Sequence, residues 1–281
     1  MQKTIQNNQS LVWVAICFLT FIVSTSASAY IPELSFILKK ASQTTGSQIV
    51  KIEQEVIFKI GEEEAKVDET WLIEGDRNLK LTANGRNFFK ENIKINHLYN
   101  GKNKTSLNGK NKNSSTITSD FYQRYLFARA KDSFLNYLKE LNILEAVRLS
   151  RADGVVTYLI GAPSVQNLNP HIWIGQEDFI VRKIRTPSGS VVELNDIAFY
   201  PKDIGIAKSH LVSWPSLNEQ INKTSNFKPL QVKVRIKKID LAFKGDISLF
   251  YPQNLQDPTE VTFLNKTPMT ELITEFYQRF R

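Results

Sequence analysis

Residues 48–60 alternate. Val50, Ile52, Val56, Phe58 and Ile60 are apolar, while Lys51, Glu53, Glu55 and Lys59 between them are charged. Successive side chains of a strand point to opposite faces, so this period predicts one long strand with a dry face and a wet one. Gly61 and the acidic run Glu62, Glu63 and Glu64 predict a turn, after which Val67, Trp71 and Ile73 alternate with Asp68, Thr70 and Glu74. Gly75-Asp76 then turns the chain into Leu79, Leu81 and Ala83, and residues 48–83 read as an antiparallel meander. A further hairpin is predicted from residues 93–99 and 105–107 about Asn100-Gly101, the strongest turn signal in the chain.

Helical spacing breaks this pattern at three places. Leu34, Ile37, Leu38 and Ala41 predict a short amphipathic helix over 31–44. Phe121, Tyr125, Phe134, Leu135, Leu138 and Leu141 predict two short helices within 120–142. Leu272, Ile273, Phe276 and Phe280 predict a last helix over 269–281. The polar, Asn/Ser-rich residues 108–119 read as a loop. Strand signals resume at 146–149, 155–160, 171–174, 180–186 and 191–200, with the PSGS turn before the last. Residues 201–229, with Pro201, Pro215 and Pro229, read as irregular. Val232, Val234 and Ile236 against Lys233, Arg235 and Lys237 form the cleanest alternation in the chain, and 241–252 offers one more hairpin. Many strands with short turns and no regular β-α alternation favour a curved antiparallel sheet over a doubly wound fold.

The first residues are set apart from this fold. Lys3, the uncharged apolar run 11–23 and the small residues Ala27-Ser28-Ala29 have the form of a cleavable export signal covering 1–29. The run is shorter than the roughly 20 residues that span a bilayer. Cys17, the only cysteine, falls inside it, so the exported chain would hold no thiol, disulfide or cysteine ligand. The residues around Cys17 do not suit a lipid-attachment site. Removing Lys3 with the signal leaves 35 basic against 28 acidic residues, a net charge of about +7 spread thinly along the chain. That balance suits an anionic surface better than nucleic-acid reading, for which the basic strand lacks interleaved aromatics.

Candidate chemistry is sparse. His97, His171 and His210 lie far apart in sequence, outside any zinc spacing, and read as isolated surface or loop histidines. The serines of PSGS belong to a turn rather than a nucleophile elbow, and phosphate-binding glycine loops are missing. Asp68/Glu69 and Glu62–Glu64 could be imagined as acid and base, but a strand edge and a charged turn favour plain solvation. The N-x-S/T triplets at Asn103, Asn113, Asn222 and Asn265 read as coincidence in an Asn-rich chain. What remains is a large apolar inventory on one face of many strands. Periodicity cannot say whether that face closes on its own residues or on a ligand.

The order of the pieces resembles the LolA/LolB-type periplasmic lipoprotein-sorting carriers. The resemblance rests on the export signal, the first amphipathic helix, the strand 48–60 and the hairpin TWLIEGDRNLKL. It continues through the strand-turn LYNGKNKTSL, the helical insert 120–142 and the unit HIWIGQEDFIVRKIRTPSGSVVELNDIAFYP. It covers roughly residues 31–215; the residues from about 216 exceed the usual pattern as a C-terminal extension of a single domain, 30–281. The resemblance implies a mainly β fold: a half-open curved antiparallel β-barrel covered by short helices, which holds acyl chains without catalysis or cofactor. The family associates an arginine in its first strands with acyl-chain handling. Arg77 is the nearest counterpart, with an exposed turn residue as its alternative role.

Together these readings give the expectation of a periplasmic, monomeric, non-enzymatic carrier of a lipid or lipoprotein acyl chain. Val50, Ile52, Val56, Phe58, Trp71, Ile73, Leu81 and Trp173 are the candidate wall positions. Arg77, Lys233, Arg235 and Lys237 are the candidate contacts with a membrane or acceptor. A self-filled envelope scaffold and an unrecognised hydrolase are the alternatives.

Overall fold

The computed structural model describes residues 31–43, 49–75, 77–126, 130–162, 169–201, 204–215, 230–255 and 257–281. The expected export signal lies outside them, as do Asn222 and Pro229. One 14-stranded sheet dominates. Its first half is a meander of β1 (Val50–Ile60), β2 (Glu63–Glu74), β3 (Asn78–Gly85), β4 (Ile93–Asn100), β5 (Asn103–Asn108) and β6 (Asn111–Thr116). The second half, β7 (Val147–Ala152), β8 (Val155–Gly161), β9 (His171–Gly175), β10 (Val181–Arg185), β11 (Val191–Tyr200), β12 (Ile204–Trp214) and β13 (Leu230–Asp240), returns to the start. There β13 pairs antiparallel with β1, placing Val56 opposite Val234 and Phe58 opposite Val232. The order is therefore β6-β5-β4-β3-β2-β1-β13-β12-β11-β10-β9-β8-β7, with β14 (Glu260–Val261) added to β4.

Several consecutive strands, among them β1–β2, β2–β3, β4–β5, β5–β6 and β7–β8, pair across short turns. The Asn100-Gly101 turn forms as expected, and Gly101 takes a φ of +58°, where a side chain would strain the backbone. At the PSGS turn the Thr186 N–H donates to the Ser190 carbonyl. The Asp120 carboxylate accepts from the Thr186 and Ser188 hydroxyls at 2.6 Å each and from Arg279 at 3.0 Å. The serines are thus structural pins.

Among the described residues four α-helices pack with the sheet: α1 (Leu34–Gln43), α2 (Gln123–Leu126), α3 (Lys131–Glu140) and α4 (Pro268–Phe280). A capping box between Thr267 and Thr270, with Pro268 in the first turn, starts α4. Its Met269, Leu272, Ile273, Phe276, Tyr277 and Phe280 are all buried. Phe276 meets Phe58 edge-on at 5.3 Å, and Phe280 packs on Trp214 at 5.0 Å. The helix therefore occupies part of the half-barrel's apolar face. Extra residues beyond position 216 supply both this filling and the strand that joins the two halves.

Several sequence readings are corrected. Residues 108–119 are no loop: β6 pairs with β5 throughout, but all six of its residues are exposed, so no alternation marks it. The stretch 201–229 contains β12, whose burial is irregular because Ser209 and His210 are buried side by side. Residues 241–252 form 3-10 turns instead of a hairpin. The turn at 61–64 is tighter than expected, since Glu63 and Glu64 already belong to β2.

Candidate functional site

The three histidines are neither surface nor loop residues; all are buried on strands. Among the described residues no cluster of His, Cys, Asp or Glu could hold a metal ion. His97 stands 3.2 Å from the Tyr99 hydroxyl, and burial, with help from Lys104, pushes its pKa down to about 3. His210 lies between the Tyr122 hydroxyl and the Ala207 carbonyl, each at 3.2 Å. Burial and the Arg281 charge push it down to about 4.

Both histidines are thus neutral in the fold but titrate near 6.5 in the unfolded chain, so the unfolded chain binds protons preferentially below that pH. Their contribution is complete above about pH 6.5 and is lost as pH falls toward the folded values. Urea midpoints should fall between roughly pH 7 and pH 5, and His210→Gln should flatten that slope by up to about 1.4 kcal/mol per pH unit. A midpoint independent of pH, or a slope unchanged in the variant, would place these rings in solvent.

Glu69 departs from the expected solvated pair, because it lies on the inner face of β2, a central strand, whereas the Asp68 side chain stays about half exposed on the outer face. Asp68 takes the Arg86 guanidinium, which also reaches Glu55 at 2.9 Å. Glu69 faces inward between Val67 and Trp71, and its side chain and that of Arg281 are both 0% exposed. Its carboxylate accepts from Arg281 Nε at 2.9 Å, Gln54 Nε2 at 2.6 Å and Trp71 Nε1 at 3.2 Å. The guanidinium also lies 4.7 Å from the Phe276 ring and 5.5 Å from that of Trp71. Burial opposes the Arg281 charge, but Glu69 beside it leaves the pKa above the ordinary arginine value. A buried ion pair thus anchors the end of α4 to the sheet.

Next to this anchor the apolar face holds a cavity of about 50 Å³. The sheet supplies Ile52, Gln54, Trp71, Leu194, Ala207, His210 and Ile236; α1 supplies Ala41, α2 Gln123, Tyr125 and Leu126, and α3 Phe134. The β9–β10 turn closes it with Phe179, Ile180 and Val181. That turn is held firmly. Phe179 sits at a φ of +56°, costly for a bulky side chain, while Asp178 accepts from the Ile180 N–H and pairs with Arg182. The opposite wall is helical: α1 packs against α3, and its half-exposed Phe36 meets Phe179 of the turn edge-on at 5.9 Å.

The expected wall residues divide. Ile52 and Trp71 line the cavity. Val50, Val56, Ile73 and Leu81 are buried in the same core, and Phe58 is covered by Phe276 and Tyr277. Trp173 stands apart. It packs with Ala152 and Leu159, with Lys183 and Arg185 over its ring, while its neighbours Ile172 and Ile174 face the main core. Of the basic candidates, Arg77, Lys233 and Arg235 are exposed, and Lys237 reaches Glu55 at 3.1 Å. Sequence reasoning missed Gln54, Glu69, His210 and Gln123. The first two were readable as polar residues in the inward phase of β1 and β2.

No family model and no curated protein matches this sequence. Solved structures do. A LolA superfamily protein from Nitrosomonas europaea superposes with a TM-score of 0.55 at 11% identity, covering 80% of this chain and 100% of that one. The fold is LolA-like. A domain assigned to outer membrane lipoprotein sorting, from Vibrio parahaemolyticus, gives a TM-score of 0.52 at 11% identity over 79% of this chain and 97% of its own. A DUF1329 family protein from Desulfovibrio piger gives 0.51 at 10% identity, over 79% and 98%. The LolA-like half-barrel here is an open antiparallel sheet with short helices on it, as the sequence resemblance implied. At these identities the likeness concerns architecture, and function has to be argued from the cavity.

Proposed function

We propose that this protein is a periplasmic, non-catalytic binder of a slender apolar chain, a lipid tail or lipoprotein acyl group, in the cavity beneath α1, α2 and α3. The observation that carries this reading is the cavity itself, mainly apolar in its lining and placed between the sheet with its pinned turn on one side and three short helices on the other. At about 50 Å³ the cavity holds a few waters, far below the roughly 300 Å³ of ordinary ligand sites, so this reading requires a second, more open state. An acyl chain enters when the helices lift, and each buried methylene contributes about 0.8 kcal/mol. Lys233 and Arg235, exposed on the outer face of β13, are suited to approach anionic headgroups during loading or delivery. The export signal expected from the sequence and the sorting protein among the structural neighbours support the periplasmic setting.

Gly205→Leu tests the cavity directly. A Cβ there would come 2.0 Å from Ile180 Cδ1, the movable tip of a side chain that lines the cavity, so the substitution crowds that space. Binding of methyl decanoate, followed by titration calorimetry, should weaken at least about tenfold, with stability reduced by about 1–3 kcal/mol. Undiminished binding in the variant would place the ligand elsewhere.

A second reading has its own observation. Because α4 fills part of the half-barrel with aromatic side chains, the protein could serve as an envelope scaffold with a self-filled barrel. Methyl decanoate would then bind neither form.

A further inference from the structure

The cavity wall contains one polar group whose hydrogen bonds are unspent. Gln123, on α2, is 4% exposed and lines the cavity, and neither its side-chain oxygen nor its nitrogen completes a hydrogen bond. The Tyr122 hydroxyl lies close enough for the Gln123 amide to favour its ionised form, but it is engaged with His210 and makes no well-aligned hydrogen bond with the amide. Two other polar side chains on the wall are engaged with the protein. Gln54 donates to Glu69, and His210 uses both ring nitrogens, on Tyr122 and the Ala207 carbonyl. A buried amide without partners costs about 1–3 kcal/mol, which a ligand able both to donate and to accept would remove.

We infer that Gln123 recognises a neutral carboxamide on an otherwise apolar ligand, so that the preferred cargo is an N-acyl amide rather than a free fatty acid or plain hydrocarbon. This rests on the cavity being the binding site, as proposed above. An ionised head is disfavoured because the adjoining Glu69–Arg281 pair is already closed upon itself and the remaining wall is mainly apolar. The carboxamide matches the Gln123 side chain, with its N–H donating to the glutamine oxygen and its carbonyl accepting from the glutamine nitrogen.

The test compares decanamide with methyl decanoate, which accepts but does not donate, on the full protein and on Gln123→Leu. The wild type should bind decanamide more tightly. In the variant the decanamide affinity should drop about five- to tenfold while that of methyl decanoate stays level or rises. The ligand-free variant should also have a higher urea midpoint, since it buries a hydrocarbon of similar size in place of an unpaired amide. Equal responses to the two ligands, or a lowered midpoint, would overturn the role of Gln123 and leave the cavity proposal standing. If the wild type bound neither ligand, both proposals would fall.

Discussion

Glu69→Leu is expected to lower the unfolding free energy by about 3–5 kcal/mol, among the largest effects of any single substitution in this chain. The cost comes less from the lost attraction than from what stays behind. The Arg281 guanidinium, the Trp71 N–H and the Gln54 amide all donate to this carboxylate inside a region closed to water. Removing the carboxylate strands a buried cation whose other contacts are aromatic faces and the Phe280 carbonyl. Glu69→Leu combined with Arg281→Met should recover most of the loss, because an apolar pair of similar volume can replace a buried ion pair at little cost. Urea unfolding of the two single variants and the double variant closes the cycle. A loss below about 1 kcal/mol in Glu69→Leu would mean that the end of α4 does not sit in the sheet.

Phe276→Ala should be comparably damaging, at about 3–5 kcal/mol. Phe276 is 0% exposed and packs its ring at 5.3 Å from Phe58, 5.4 Å from Phe280 and 6.1 Å from Trp214. Truncation leaves a void between helix and sheet that these rigid rings cannot readily close. The unfolding midpoint should drop with little change in the dependence on denaturant, as expected for a cavity in an otherwise intact fold. A cost near 1 kcal/mol would show that α4 is loosely docked, and the barrel interior would then be available to ligand along its whole length.

Legibility in the sequence followed burial. The strands β1, β2, β3 and β13 carry one dry and one wet face, and their alternation is plain. β6 has two wet faces and nothing to alternate, and β12 mixes small and polar residues on its buried side. The inward phase of a strand was also the missed signal for the site. Gln54 lies between Ile52 and Val56, Glu69 between Val67 and Trp71, and His97 between Ile95 and Tyr99, each a polar residue where the pattern demands an apolar one. A polar residue in that phase must find a partner inside, but the partner is set by topology. Glu69 and Arg281 are 212 residues apart, and only the pairing of the two sheet halves with α4 laid across them brings the pair together. The last helix itself was visible from its spacing, whereas its place on the apolar face was not.

The account stands on a cavity that opens beneath α1, α2 and α3 to admit one hydrocarbon tail. Native mass spectrometry of the protein, gently purified from the envelope of its own host, tests this most directly. It should show a species heavier than the bare chain by the mass of one lipid, lost on organic extraction and missing from Gly205→Leu. A bare mass alone, before any extraction, would contradict it and favour the self-filled scaffold.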